Sequence, residues 1–185
     1  SASVEKLEDV GLQWGTDDEH RFYAFYPASA VKGSDEEDQT GKITANIPVT
    51  QQPDSWEEGE LNGVKTYFGL PNMGYAYMYA YTSQKKSETP EGTSIDLQFK
   101  NLVTVLDITV QGPESGDPIT VTNINVSAVE GQNPILTGDF TCNIREAEDN
   151  SKEVTAECAA AGNLSEVRNT VSIPCYDREK GEFIQ

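Results

Sequence analysis

Two apolar stretches in the middle of the chain decide the predicted fold. The first covers residues 97–110, LQFKNLVTVLDITV, and the second covers residues 119–128, ITVTNINVSA. Both are rich in β-branched residues, which are stiff at χ1 and fit a pleated sheet better than a helix. The segment between them, QGPESGDP, contains glycines and prolines that forbid a continuous helix and mark a turn. The sequence therefore predicts a two-stranded unit at the centre of an all-β domain.

Shorter β-prone segments surround this unit, and charged, glycine-bearing tracts such as residues 28–41 and 50–63 separate them as loops. These segments are RFYAFYP at 21–27, KITANIPV at 42–49, VKTYFG at 64–69, YAYMYAYT at 75–82, ILTGDFTCNI at 135–144 and VRNTVSIPCY at 167–176. Many short strands with regular turn signals predict an antiparallel, two-sheet β-sandwich of the Greek-key or transthyretin-like kind, with long polar loops. The length of 185 residues suits a single domain over residues 1–185.

The charge balance excludes some classes of partner. The chain has 31 acidic and 13 basic residues, and its formal net charge is −18. Such a chain is repelled by nucleic acid and by anionic membrane surfaces, so neither is a predicted partner. Polar or charged residues interrupt every apolar stretch before it reaches membrane-spanning length. The first ten residues lack a basic head and an apolar middle, so they do not form a signal peptide, although a leader removed earlier is compatible with the sequence.

No group of residues in the sequence predicts catalysis, a cofactor or a metal. His20 is the only histidine, no Cys-x-x-Cys pair occurs, and no serine lies in a glycine-flanked nucleophile turn. The acidic clusters at 17–19 and 35–38 lack the spacing and central glycine of a calcium-binding loop, so we interpret them as solvated loops. A glycosidase pair of carboxylates would meet only in the fold, and no spacing selects one. The sequence predicts that the protein is not an enzyme.

The three cysteines leave two alternatives open. If residues 148–152 form a loop between two strands, Cys142 lies opposite Cys158, at a distance that permits a strained disulfide. Otherwise Cys142, Cys158 and Cys175 are ordinary small buried residues. The segment KEVTAECAA at 152–160 fits a helical spacing and a strand alternation, and we favour the strand.

A tyrosine ladder is the candidate binding surface. Strict alternation along one predicted strand places four rings on one face, with alanine and methionine on the other. If that face is exposed, the rings suit stacking on sugars or on partner side chains. If it is buried, the rings pack against the second sheet. The four residues are Tyr75, Tyr77, Tyr79 and Tyr81.

The order of these segments over about residues 10–175 resembles the amino-terminal domain of the fimbrillin family, the type V pilus subunits and related surface lipoproteins of Bacteroidota. The most specific part is FKNLVTVLDITV, which is similar to the family's Phe-x-His strand, with Asn101 where histidine is common. The second half matches at Leu136, Gly138 and Phe140 and at the strand ending near Pro174. Fimbrillins usually carry two sandwich domains, so the resemblance implies an amino-terminal part or a shorter relative.

The resemblance implies a function in fimbriae at the outer-membrane surface. In that family a neighbouring subunit's strand fills a groove along the sandwich, and a lipid anchor belongs to a removed leader. The expected partners are other pilin subunits or host surface ligands, and the candidate assembly strands contain Val10, Leu12 and Trp14 at one end and Phe183 at the other. The alternative function is a carbohydrate- or host-protein-binding surface module that uses the tyrosine ladder.

Overall fold

The fold was obtained as a computed structural model, which describes residues 15–30, 41–90, 93–112, 119–129, 135–149, 151–158 and 169–184. These residues form strands and short 3-10 turns, so the predicted all-β class is confirmed. The turns are Ala28–Ala30, Met73–Tyr75, Lys86–Glu88 and Ile144–Glu148. The strands are β1 (Glu19–Tyr26), β2 (Lys42–Ile47), β3 (Ser55–Leu61), β4 (Val64–Leu70), β5 (Met78–Lys85), β6 (Lys100–Asn101), β7 (Asn123–Ser127), β8 (Gly138–Asn143), β9 (Glu157–Cys158), β10 (Thr170–Pro174), β11 (Tyr176–Asp177) and β12 (Glu182–Phe183).

Two three-stranded antiparallel sheets form the centre of the molecule. The first has the order β1-β5-β6 and the second the order β2-β8-β9. Strand β1 ends at Tyr26, immediately before Pro27, which cannot donate to a ladder, as the sequence predicts. In β2, Ile43 and Ala45 are buried and alternate with exposed residues, which is the predicted period of two.

Side chains from the two sheets pack together in the core. One cluster joins Ile43, Tyr79, Cys142 and Val154, and a second joins Ala45, Tyr77 and Phe140. Half-buried Phe25 and Leu102 contact both clusters. The rings of Tyr77 and Phe140 meet edge to face with centroids 5.2 Å apart, a favourable aromatic geometry. This contact between two sheets is compatible with the predicted sandwich.

The remaining strands form three two-stranded antiparallel sheets. They are β3 with β4, β7 with β10, and β11 with β12. The hairpin β3–β4 corrects the interpretation of residues 50–63 as a loop. It turns on Asn62 and Gly63, whose φ angles of 54° and 82° are those of the turn that favours Asn-Gly in two-residue hairpins.

The predicted pairing of residues 97–110 with 119–128 is wrong. Residues 123–127 pair instead with Thr170–Pro174, so that Val126 lies opposite Val171 and Ile124 opposite Ile173. Only Lys100 and Asn101 of the first stretch lie in a strand, opposite Tyr79 and Met78. Alternating apolar residues indicate that a segment can form a strand, but they do not indicate which other segment it pairs with.

The predicted register between the cysteines is also wrong, although β9 begins in the segment for which we favour a strand. Strand β9 places Cys158 opposite Phe140 and Glu157 opposite Thr141, so Cys142 has no cysteine across from it. Cys142 and Cys175 are buried free thiols. Burial raises the pKa of the Cys142 thiol to about 11, which keeps it protonated and unreactive at neutral pH.

No helix among the described residues is long and apolar enough to cross a lipid bilayer.

Candidate functional site

Residues 104–110, TVLDITV, form an exposed apolar segment, which we call the exposed segment. Its side chains Val105, Leu106, Ile108 and Val110 are 74%, 62%, 37% and 55% exposed. The segment belongs to no strand, and within the described residues no backbone hydrogen bond joins it to another part of the chain. A β-branched run of this kind is normally found inside a sheet, where its side chains are shielded from water. The exposed segment is therefore a strand-forming sequence without a strand partner in the described structure.

The alternation of the exposed segment gives it two chemically different faces. Leu106, Ile108 and Val110 lie at every second position, and Asp107 and Thr109 lie between them. In an extended conformation Leu106, Ile108 and Val110 would share one face, and the polar pair would lie on the other face together with Val105. Such a strand fits a sheet that has one face on a core and one face in water.

Strand β5 is covered unequally at its two edges. Strand β1 pairs with it over its whole length, from Met78 to Lys85, without a bulge. On the opposite edge β6 pairs only with Met78 and Tyr79. The part of β5 that follows Tyr79 therefore has one edge to which no described strand is bonded.

Two hydrogen bonds identify which residues point toward that uncovered edge. The N–H of Lys86 donates to the carbonyl of Asp18 on the β1 side at 2.7 Å, and the N–H of Leu102 donates to the carbonyl of Tyr77 on the β6 side at 2.9 Å. The backbone groups of successive residues in a strand point to opposite edges. Even-numbered residues of β5 therefore bond to β1. Tyr81 and Ser83 direct their N–H and C=O groups to the uncovered edge.

A groove of about 320 Å³ lies beside this edge, and we call it the β5 groove. Asp96, Gln98 and Lys100, in the segment that runs into β6, contribute side chains to the groove at every second position, which is the spacing of an extended chain. The other lining residues are Tyr79, Ala80, Tyr81, Thr82, Gln84 and Ala147. The groove thus combines hydrogen-bonding side chains with the aromatic and small residues of β5.

The turn Ile144–Glu148, which supplies Ala147 to the groove, is anchored to β1 through Glu148. The hydroxyl of Tyr23 and a guanidinium N–H of Arg21 each donate to a different oxygen of this carboxylate, the second at 2.8 Å. Burial, followed by the bond to Glu148, raises the pKa of Tyr23 to about 12. The ring of Tyr23 also contacts that of Tyr81, with centroids 5.2 Å apart. This cluster holds one end of the groove in place.

The tyrosine ladder is not an exposed face. Tyr77 and Tyr79 are each only 3% exposed, and their rings pack between the two central sheets. The hydroxyl of Tyr77 donates to the Asn46 carbonyl at 2.6 Å, and that of Tyr79 accepts from the Val154 N–H at 3.2 Å. Because of these bonds, the hydroxyl groups of both rings are buried without being left as unsatisfied polar groups. The exposed alternative is therefore wrong for these two residues.

The two outer members of the ladder lie in different settings. Tyr75 is half-buried in the 3-10 turn Met73–Tyr75, before β5 begins, so the ladder does not continue to it as a strand. Tyr81 is half-buried and lines the β5 groove. Of the four tyrosines, Tyr81 is the one whose position combines partial exposure with the uncovered edge.

Of the two candidate assembly strands, the structure describes only the one that contains Phe183. Val10, Leu12 and Trp14 lie outside the described residues. Phe183 lies in β12 opposite Tyr176, with the two ring centroids 5.2 Å apart. The next residue, Ile184, accepts a hydrogen bond from the N–H of Val121 at 3.1 Å. Phe183 and Ile184 are thus used within their own fold, and they would have to leave these partners to join another molecule.

The acidic cluster at 17–19 has a structural use. The carboxylate of Asp18 accepts hydrogen bonds from the N–H and the hydroxyl of Ser87, at 2.8 and 2.9 Å, and these bonds lower the pKa of Asp18. They fasten the turn after β5 to the start of β1. Residues 35–38 lie outside the described residues, and no group of three or more potential metal ligands occurs among those described.

The sequence-based reasoning missed both the uncovered edge and the groove. The alternation of Asp96, Gln98 and Lys100 was a usable signal for an extended chain with one hydrogen-bonding face. Local sequence does not predict that β6 pairs with only two residues of β5. The length of that pairing depends on how two segments that are distant in sequence pack together.

Comparison with known proteins adds no relative: no family model matches the chain, and neither a curated protein nor a solved structure matches it.

Proposed function

We propose that this protein is a non-enzymatic structural or adhesive component of fimbriae at the bacterial outer-membrane surface, and that it assembles by strand addition. The observation that carries the proposal is the exposed segment, 104–110, whose apolar side chains lie in water and whose backbone has no partner among the described residues. The fimbrial setting, an anchor in a removed leader and the partners, other pilin subunits or host surface ligands, follow from the resemblance to fimbrillins.

The physical chemistry of the exposed segment favours association through a sheet edge. Each apolar side chain that moves from water into a packed interface contributes about 1.5–3 kcal/mol before the costs of association. Backbone groups that pair across an edge add hydrogen bonds worth about 0.5–1.5 kcal/mol each. A segment with Leu106, Ile108 and Val110 on one side gains both contributions when it joins a sheet as an extra strand.

The net charge sets the opposing force. At −18 the molecules repel one another at long range, and this repulsion suppresses non-specific association of their apolar surfaces. Short-range strand pairing can still prevail, because salt screens charges beyond about 10 Å at 0.1 M ionic strength. The combination favours specific joining over aggregation.

The test of this proposal is the variant Leu106→Asp, studied by sedimentation velocity over a range of protein concentrations. We expect the wild type to self-associate and the variant to do so about ten to a hundred times more weakly, because it replaces a buried leucine by a charge in the joined state. Because Leu106 is 62% exposed, the variant should retain the melting temperature of the wild type.

The matched control is Val64→Asp in the hairpin β3–β4. Val64 is 58% exposed, so the substitution replaces a comparably exposed apolar side chain and adds the same charge. It should leave self-association nearly unchanged. A wild type that stays monomeric at millimolar concentration, or two variants with equal effects, would contradict the proposal.

A further inference from the structure

We propose that the uncovered edge of β5 is the acceptor site and that its occupant is the exposed segment, residues 104–110, of a second copy of this chain. This inference rests on the proposed function and names both halves of the contact. The acceptor half is the edge beyond Tyr79, where Tyr81 and Ser83 direct their backbone groups away from β1. A free edge of this kind is a template for another strand.

The direction of the chain carries the exposed segment away from the molecule's own uncovered edge. Strand β6 is antiparallel to β5, so Lys100 lies opposite Tyr79 and Asn101 opposite Met78. Leu102 then bonds to Tyr77, which precedes β5. The chain thus approaches the exposed segment while moving toward the beginning of β5, whereas the uncovered edge extends toward its end. The exposed segment that we propose for this edge therefore belongs to another molecule.

The two halves match in the character of their faces. Alternate residues of β5 share a face, so Tyr81 lies on the same side of the sheet as Tyr79, which is in the core. Ala147 of the turn Ile144–Glu148 lines the groove with these two rings. An added strand would place its apolar face, with Leu106 as its most exposed large side chain, against this side. Its polar face would lie with Thr82 and Gln84.

The two halves also match in length and in hydrogen-bonding capacity. The uncovered edge runs from residue 80 to residue 85, and the exposed segment has a similar number of residues. Tyr81 and Ser83 each offer one N–H and one C=O, which is what two positions of an antiparallel or parallel ladder require.

A joint of this kind is heterologous, because the segment of one molecule fills the edge of the next and leaves its own edge free. Repetition of such a contact gives an open linear assembly unless the rotation between copies closes a ring. The site on each copy is incomplete without the strand that the second copy contributes.

Amide hydrogen exchange, followed by NMR, tests the acceptor assignment. The protein used is the 185-residue chain with Leu106→Asp, which keeps the edge but has a weakened donor, and the probe is a synthetic peptide of residues 104–110. We expect the amides of Tyr81 and Ser83 to exchange freely in the variant alone and to slow by about tenfold or more when the peptide is added. The amides of Thr82 and Gln84, which bond to β1, serve as internal controls and should be protected throughout.

The outcomes separate this inference from the proposed function. If wild-type protein self-associates and the peptide binds without protecting Tyr81 and Ser83, the edge assignment is wrong and strand addition stands. If both amides are already protected in the variant alone, the chain covers its own edge and the inference is wrong. If a saccharide slows both amides and the peptide does not, the groove is a carbohydrate site instead. If neither self-association nor peptide binding occurs, both proposals are wrong.

Discussion

Hydrogen bonds of the hydroxyl groups determine how the tyrosines in and next to β1 and β5 are used. Tyr77 and Tyr79 each place the hydroxyl against a backbone group, so their rings can occupy the core. Tyr23 instead donates to the carboxylate of Glu148, which Arg21 also contacts. A hydrogen bond to a charged acceptor is about twice as strong as one between neutral groups. The Tyr23 bond therefore connects the turn beside the β5 groove to the central sheet.

We predict that Tyr23→Phe lowers the free energy of unfolding by about 1–2 kcal/mol at neutral pH, because the Glu148 carboxylate loses a donor. The variant should also change the response to alkaline pH. The folded-state pKa of Tyr23, about 12, lies above the unfolded value. Its contribution is thus complete below about pH 10 and is lost as the pH rises toward 12. Urea unfolding at several pH values should show a shallower decline for the variant over this range.

The control is Tyr26→Phe, in the same strand, whose side chain is exposed. It should change the free energy of unfolding by less than about 0.5 kcal/mol. Identical alkaline profiles for the wild type and Tyr23→Phe would show that the Tyr23 hydroxyl has no such role.

At the scale of elements, turn chemistry is the part of the fold that local sequence encodes most directly. The hairpin β3–β4 turns on Asn62 and Gly63, both with positive φ. An added side chain on Gly63 would meet nothing within 4 Å, so any cost of substitution there comes from the backbone conformation alone. This makes Gly63 a clean position for testing the turn.

We predict that Gly63→Ala destabilises the protein by about 1–2 kcal/mol, because a residue with a Cβ is strained in the left-handed region. The matched control is Gly112→Ala, where an added Cβ also meets nothing and φ is not positive. The control should be close to neutral. Differential scanning calorimetry of the two variants measures the difference, and equal melting temperatures would contradict the assigned turn.

A comparison of the predicted strands with the observed ones shows which elements could be predicted from the sequence. Strands β1, β2, β4 and β8 follow from alternation and from nearby breakers such as Pro27. The Asn-Gly pair at 62–63 also signals the hairpin, although we interpreted residues 50–63 as a loop. Pairing was not predictable, because residues 97–110 have the composition of a central strand whether or not a partner is available. The exposure of the segment 104–110 depends on that missing partner, and so the candidate site could not be located from sequence.

At the scale of the whole molecule, an acidic surface coexists with apolar and backbone groups that lack partners among the described residues. The net charge of −18 opposes random contact, while the exposed segment and the uncovered edge of β5 are the two surfaces that we propose to join. A protein with both surfaces on one chain can join copies of itself without any reactive side chain. We therefore propose that sheet edges carry the function.

Disulfide trapping between two separately prepared variants tests this claim most directly. One variant carries Gln84→Cys, on the polar face of β5 beside the groove, and the other carries Thr109→Cys, on the polar face of the exposed segment. Cross-strand neighbours on one face have Cβ atoms about 4.5–5.5 Å apart, slightly more than the usual span of a disulfide of about 3.5–4.5 Å, so that a small local movement allows the bond to form. Thr155→Cys, at an exposed position outside both surfaces, replaces Thr109→Cys in the control mixture.

We predict that mild oxidation of the mixed variants gives a disulfide-linked dimer containing one Gln84→Cys and one Thr109→Cys chain, and that the control mixture gives much less. Mass spectrometry of the linked peptides identifies the pair. Equal yields in the two mixtures, or no linked dimer under conditions where the wild type self-associates, would contradict the account.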